Sequence, residues 1–382
     1  MAKTKQKKRV LYLSLLRFCT FVILSALTLA VCLIYQTPIE KVINGREIQT
    51  DEKSIDYNGL VIHYIDVGQG DSIAIEFPDN KKMLIDAGKE KNSSQLLKYL
   101  KQKVFDDDEN EFDYVLMTHS DEDHIGGMPV IFENYQVNKV FRPQLYINQN
   151  DINQDSNAPA DAISKNLVTT SIYRRTINAV YSEPSCQQYY TVLSLMNSTQ
   201  KIYGGEGDTY YEFEFYSPKL SYYKNVNDYS PIMKLTYMNK TFLFTGDATT
   251  LGEKEAIENG IGKVDVLKVG HHGSTTSSGQ EFINAVRPTY AMIEVGKDNS
   301  YGHPKQEILN RLEYSGAKVF RTDVNKSIIV NVNVEGSLLI YPNIADKVSV
   351  WYFICGVEVV EIYFCFFVKY KTDNKEKKRK AK

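Results

Sequence analysis

Cysteine is sparse in these 382 residues and poorly placed for cross-linking. Cys19 and Cys32 fall in an apolar run near the start, Cys355 and Cys365 in another near the end, and only Cys186 lies between them. This excludes a disulfide framework and a CxxC metal knuckle, and it leaves the redox compartment open. Basic charge is just as unevenly supplied. Residues 1–36 carry six Lys and Arg with no acid, residues 347–382 carry nine bases against four acids, and the stretch between holds 30 bases against 43 acids. A net charge of −2 therefore conceals a middle about 13 units negative. Such a surface argues against strong non-specific nucleic-acid binding, whose affinity comes from Lys and Arg neutralising phosphates. Apolar residues are plentiful. At 43% of the chain they can fill one large core or two small ones, and they exclude a disordered or collagen-like chain.

Residues 18–35 are uncharged and follow Lys3, Lys5, Lys7, Lys8, Arg9 and Arg17, the pattern of a single span or a long signal peptide. An uncleaved anchor with its basic flank on the cytoplasmic side is expected ahead of a cleaved signal or a buried helix. Val31 spoils Leu29-Ala30-Val31-Cys32 as a lipoprotein cleavage site, and no clear small-residue site follows. The rest of the chain then faces outward from the cell membrane, or is secreted if the segment is cleaved. Residues 348–368, followed by the Lys-rich 369–382, suit either a second span or a β-rich appendage. Glu358 and Glu361 each cost roughly 2.5–3.5 kcal/mol at mid-membrane, and each large apolar residue returns only about 0.3–0.6 kcal/mol. The chain divides into a basic N-terminus with anchor or signal segment (1–36), a linker (37–56), a main domain (57–341), and an apolar segment with a basic tail (342–382).

Within the main domain, residues 60–77 read as two strands broken by Gly68-Gln69-Gly70-Asp71, and 83–85 as a third. Leu96, Leu97 and Leu100 give 93–103 helical spacing, and 114–118 is a buried strand. Residues 137–210 read as a surface excursion or lid, with helices around 160–180 and 188–196. A second series follows, with strands at 212–216, 233–237, 241–245, 264–269, 291–295, 319–321 and 327–331, and helices at 251–258, 280–286 and 305–314. Two similar sets of strands and helices predict an α/β fold of two halves packed as a layered sandwich.

The chemistry concentrates in a few loops. His119-Ser120-Asp121-Glu122-Asp123-His124 follows a buried strand and is closed by Gly126-Gly127. So many metal-capable side chains crowd one short loop at a cost in repulsion, unless a cation offsets their charge. Asp247 ends the strand 242–246, His271-His272 end 266–270, and His303 sits in Tyr301-Gly302-His303-Pro304. Five of the six histidines thus fall in three loops at strand ends, where an α/β scaffold assembles a site, and only His63 lies elsewhere.

Together with Asp-Val-Gly-Gln-Gly-Asp-Ser at 66–72, Ile85-Asp86-Ala87-Gly88, Thr245-Gly246-Asp247 and His271-His272-Gly273-Ser274, these motifs resemble, in order, the metallo-β-lactamase-like domain of the ComEC/Rec2 competence proteins. The resemblance covers roughly 57–341 and implies an αββα sandwich, the metallo-β-lactamase fold, with a metal cleft at one edge of its sheets. By position it makes His119 and Asp121 ligands of one metal, Asp123, His124 and His303 ligands of another, and Asp247 the bridge. Asp121 stands where the wider superfamily commonly has His, and Asn227-Asp228-Tyr229-Ser230 stands where it has a third His ligand. Zn²⁺ favours His, and Mn²⁺ tolerates carboxylate-rich sites, so either cation suits this set. Asp71 and Asp86, with Asn227 and Ser230, are expected to support the ligands from behind. Asp66 is expected to serve its own turn, and Ser274, Thr275 and Ser277 to cap the helix near Gln280.

A divalent-metal hydrolase follows, with Asp123 at the metal and His271 or His272 placed to protonate a leaving group or complete the first site. A phosphodiester, with DNA as one candidate, is the leading substrate, because the proteins resembled act in DNA uptake. A small ester or phosphorylated metabolite is the rival, and a non-catalytic binding module is a third reading. The membrane is the expected partner of the N-terminal segment.

Overall fold

Strands rich in Val, Ile, Phe and Tyr build two sheets in the computed structural model, which describes residues 58–342 apart from 107–108, 185 and 197–200, together with 12, 18–26 and 28. The first half of the chain lays down β1 (Leu60–Tyr64), β2 (Ile73–Glu76), β3 (Lys82–Ile85), β4 (Glu111–Leu116), β5 (Gln136–Arg142) and β6 (Gln187–Tyr190). The second half lays down β7 (Lys201–Gly204), β8 (Tyr211–Ser217), β9 (Ile232–Tyr237), β10 (Lys240–Phe244), β11 (Val266–Lys268), β12 (Tyr290–Ile293) and β13 (Lys318–Arg321). The chain then returns to the first sheet as β14 (Ile328–Val332) and β15 (Leu338–Pro342). The spatial orders are β15-β14-β1-β2-β3-β4-β5-β6 and β13-β12-β11-β10-β9-β8-β7.

The two sheets share one apolar filling. Ile62, Phe77, Tyr114 and Phe141 from the first pack with Phe213, Phe215, Leu235, Phe242 and Met292 from the second. On the outer face of the first sheet, Leu84, Val115 and Val140 are covered by Leu96 and Leu100 of the helix Ser93–Lys103, by Ile131 of Met128–Asn134 and by Tyr173 and Ile177 of Ser171–Ser182. On the outer face of the second, Leu243, Leu267 and Ala291 meet Ala256 of Thr250–Glu258, Phe282 and Ile283 of Gln280–Val286, and Ile308 and Leu312 of Gln306–Tyr314. This is the expected αββα order of layers. Ser93–Lys103 shows why the helices form where they do: it buries Ser93, Leu96 and Leu100 on one stripe and keeps Lys101 and Lys103 in its last turn, where cations favour the helix dipole.

The excursion expected at 137–210 is largely part of the sandwich. β5 and β6 extend the first sheet in parallel, and β7 opens the second. The polar Gln187-Gln188-Tyr189-Tyr190 gives no apolar alternation, yet an edge strand needs only its ladder to β5. The helix expected around 160–180 is two pieces, Ala162–Lys165 and Ser171–Ser182. Between them the chain makes a bridge from Leu167 to Tyr146, and the Asn166 side chain donates through Nδ2 to the Gln144 carbonyl at 2.9 Å.

The chain divides into two compact units, residues 56–345 and the two ends together. In the latter, residues 18–26 are helical, and among the described residues no helix is long and apolar enough to cross a membrane. The remainder of the expected first span and the whole of 348–368 lie outside the described residues.

Phe242 is fully buried between the sheets. Phe242→Ala should lower the unfolding free energy by about 3–5 kcal/mol with an unchanged denaturant slope, read by urea titration followed by circular dichroism.

Candidate metal centre

Parallel pairing fixes where the polar loops emerge. β3 and β4 run in register with Ile85 beside Leu116, β10 and β11 with Leu243 beside Leu267, and β11 and β12 with Lys268 beside Met292. Asp86, Thr118-His119, Asp247, His271-His272 and Glu294 therefore all leave the C-terminal ends of parallel strands, the usual place for a site in such sheets. Gly127 lets the 119–124 loop press down on the strand below. A Cβ there would lie 2.3 Å from the Ala87 carbonyl oxygen. His271 and His272 both hold left-handed backbone, φ 50° and 52°. For a residue with a Cβ this costs roughly 1–2 kcal/mol each, strain of the kind concentrated at functional sites.

Each of three buried imidazoles is tied at Nδ1 and left open at Nε2. His124 Nδ1 lies 2.7 Å from Asp86 Oδ2, His272 Nδ1 lies 2.9 Å from the Glu294 carbonyl, and His119 Nδ1 lies 3.0 Å from Thr118 Oγ1 and 3.3 Å from Ser230 Oγ. Their Nε2 atoms, together with Asp247 Oδ1, are buried and take no hydrogen bond among the described residues. Ligand atoms of His119, His124 and Asp247 lie within 4.8 Å of one another, as do those of Asp123, His124 and His272. A fixed tautomer with its lone pair aimed at carboxylates is what a metal-ligating histidine needs, and an orphaned buried polar atom calls for a partner. These residues fit a divalent cation.

The electrostatics agree. Burial opposes charge on His124, but Asp247 and Asp86 outweigh it and hold the imidazole well above its ordinary pKa. Burial likewise opposes charge on His272, and Asp247 and Asp71 overcome it, pushing it up to about 10. Asp247 is buried too, yet His124 and His272 keep it well below the usual carboxylate range.

Behind this group lies a layer of fixed partners. Asp86 accepts from the Thr118 amide at 2.9 Å and its hydroxyl at 2.6 Å. Asp71 sits 3.1 Å from His272 Nδ1 and 2.6 Å from Lys268 Nζ. Ser230 Oγ accepts from the Asp247 amide at 3.1 Å, and Asn227 Nδ2 lies 3.4 Å from His271 Nδ1. Asp66 accepts from the Gly68 amide within its own turn at 3.1 Å.

Residues 65–148 match the family described as the metallo-beta-lactamase superfamily. The chain is 27% identical over 296 residues to ComE operon protein 3 of Bacillus subtilis, covering 74% of this chain and 34% of that protein. It is 38% identical over 121 residues to competence protein ComA of Neisseria gonorrhoeae, covering 31% and 17%, and 29% identical over 174 residues to recombination protein 2 of Haemophilus influenzae, covering 43% and 22%. Over residues 65–148 the chain resembles the metallo-β-lactamase superfamily, and it is similar to the ComEC/Rec2 competence proteins. It spans about a third of the length of the first of these relatives and less of the other two.

Within this domain, four of the six residues expected as ligands converge: His119, Asp123, His124 and Asp247. Asp121 Oδ2 stands 3.6 Å from His119 Nε2, with its side chain half exposed. His303 stands apart from the convergent groups, its ring centroid 5.9 Å from that of His271, and His272 takes the place beside Asp123 and His124. The helix Gln280–Val286 is not capped by Ser274, Thr275 or Ser277, which lie too far upstream of its start. Glu253 instead accepts from the amides of Ser278 and Gly279. Sequence reasoning passed over Thr118, Glu294 and Lys268. Only Lys268, a charge inside the apolar run Val266-Leu267-Lys268-Val269, carried a signal.

Lys268 is fully buried, and Asp71 holds its ammonium charged against the pull of burial. Lys268→Met should strand the Asp71 carboxylate and cost about 3–5 kcal/mol. Thermal unfolding of the metal-free protein measures this, and a loss under 1 kcal/mol would refute a strong pair.

Proposed function

We propose that this domain is a divalent-metal-dependent hydrolase of phosphodiesters, working at the outer face of the membrane. The observation that carries it is the convergence of three orphaned imidazole nitrogens on buried carboxylates. His119, Asp121, Asp123, His124, Asp247 and His272 are the side chains that would hold Zn²⁺ or Mn²⁺. A divalent cation held there supplies Lewis acidity and lowers the pKa of water. The protein's own residues do the rest. Asp86 and the Glu294 carbonyl hold two rings in one tautomer, Ser230 ties His119 to the Asp247 backbone, and Lys268 neutralises Asp71 beneath them. A phosphodiester is favoured as substrate because the relatives include a protein named for competence, and DNA uptake presents that linkage. The acidic middle of the chain suits a strand delivered to the site better than one gripped by the surface. The apolar, basic-flanked residues 18–35 support a membrane anchor.

Full chain in detergent should bind Zn²⁺ or Mn²⁺ by elemental analysis and hydrolyse bis-p-nitrophenyl phosphate and single-stranded DNA. Asp123→Ala should lose at least about 100-fold in rate, the scale of one well-placed charged group. Protein that stays metal-free and inactive with both cations would sink the enzyme and leave a binding module.

Metal loading should also release protons. A raised histidine pKa means that protonation stabilises the metal-free fold below the ordinary histidine range, and that this contribution is lost as pH rises through about 10 for His272. A cation must displace that proton, so affinity should climb with pH across the neutral range. Calorimetry in two buffers of different ionisation enthalpy counts the protons, and a count of zero at pH 7 would contradict the assignment of His272 as a ligand.

A further inference from the structure

Two loops from opposite halves of the chain meet beside the centre. Residues 66–72 lie between β1 and β2, and residues 296–303 follow β12. The Gly296 amide donates to Gln69 Oε1 at 3.1 Å, and a Cβ on Gly296 would lie 2.6 Å from the Gln69 backbone nitrogen and 3.0 Å from its Cα. Only glycine lets the two backbones come this close. Gln69 Nε2 is buried and makes no hydrogen bond among the described residues, so the side chain engages the second loop through its oxygen.

Each loop is tied in turn to a residue expected at the metal. Gly70 lies so near the Asp123 carbonyl oxygen that a Cβ would come within 2.3 Å of it, and the Asp71 amide donates to the same oxygen at 3.1 Å. On the other side, Asn299 Nδ2 donates to the Gly296 carbonyl at 3.0 Å and to the His303 carbonyl at 2.7 Å, while Asn299 Oδ1 accepts from the His303 amide at 3.0 Å. The far end of that loop is closed by the Lys305 amide, which donates to the Gly273 carbonyl at 2.9 Å. A continuous run of contacts therefore leads from the Asp123 backbone through Gly70, Gln69, Gly296 and Asn299 to the His303 backbone. Gln69 is the member of this run that crosses from the first half of the chain to the second.

We infer that Gln69 is a positioning residue for the metal centre: by holding Gly296, it sets where the His303 backbone stands relative to Asp123. The inference rests on the reading of the centre as a metal site and is independent of the substrate. Neither 66–72 nor 296–303 has a strand ladder to fix it, so the separation of the Asp123 and His303 sides depends on contacts of this kind. Partners behind the ligands commonly govern metal affinity by about 10–100-fold.

The test uses full chain carrying Gln69→Ala, which removes the acceptor, Gln69→Glu, which keeps one, or Phe242→Ala, which weakens the core without removing this contact. Gln69 is partly exposed, so both of its variants should fold. Zn²⁺ and Mn²⁺ affinity is measured by chelator competition, and hydrogen exchange at the Gly296 and His303 amides is measured on metal-free protein. Expected for Gln69→Ala are metal binding weakened about tenfold or more and faster exchange at both amides, with both effects largely reversed in Gln69→Glu. Phe242→Ala should lower stability yet keep wild-type metal affinity. Wild-type affinity in Gln69→Ala would overturn the inference, whatever the exchange rates. So would an equal loss in Phe242→Ala, which would assign the effect to general loosening of the fold, or no recovery in Gln69→Glu, which would leave the acceptor without a role. Wild-type protein that binds neither cation would fail the metal-site reading itself, and exchange at the His303 amide would then decide whether Gln69 holds the loop.

Discussion

Everything at this centre depends on how the buried histidines are held by their far nitrogens. Nδ1 of His124 is bound to Asp86, that of His272 to a backbone carbonyl, and that of His119 to Thr118 and Ser230, so each ring presents its remaining nitrogen to the same small volume. An imidazole free to rotate or to change tautomer would lose that convergence and pay for ordering it on every binding event. Here the cost is met during folding, by strands already placed in register by the two sheets.

The tethering partners need support of their own. Asp86 is fixed by both the amide and the hydroxyl of Thr118. Burial opposes charge on both Asp71 and Lys268, but Lys268 and His272 favour the Asp71 carboxylate, and Asp71 favours the Lys268 ammonium. Glu294 completes the layer, giving its carbonyl to His272 and one carboxylate oxygen to the Ser72 amide at 2.9 Å, while burial and Asp71 hold its own acid well above the ordinary range. These groups join five strand ends from both sheets, so the stability of the sandwich and the shape of the centre are one problem rather than two.

The division between buried and open histidines gives the centre a direction. His119, His124 and His272 look inward with their rings shut off from solvent, and His271 and His303 stand on the accessible side. The strained left-handed backbone at 271 and 272 turns two adjacent side chains apart, with His272 Nε2 3.7 Å from Asp123 Oδ2 and His271 Nε2 3.5 Å from Asp247 Oδ2.

The sequence by itself determined the layers and most of the centre. Apolar alternation marked the central strands, helical spacing marked Ser93–Lys103 and Gln280–Val286 to the residue, and the crowding of His and Asp at strand ends marked His119, Asp123, His124 and Asp247. Those signals are local, written in periods of two and 3.6 residues or in a six-residue loop. Only the tertiary structure decided the rest. It drew the polar β6 into a sheet through its ladder with β5, where no side-chain pattern announced it. It set His272 beside Asp123 and His124, where the left-handed turn after β11 gives directions that residue type cannot specify. It also made Lys268, Thr118 and Glu294 part of the centre, since a supporting partner is defined by distance in space, and chain order carries no trace of it.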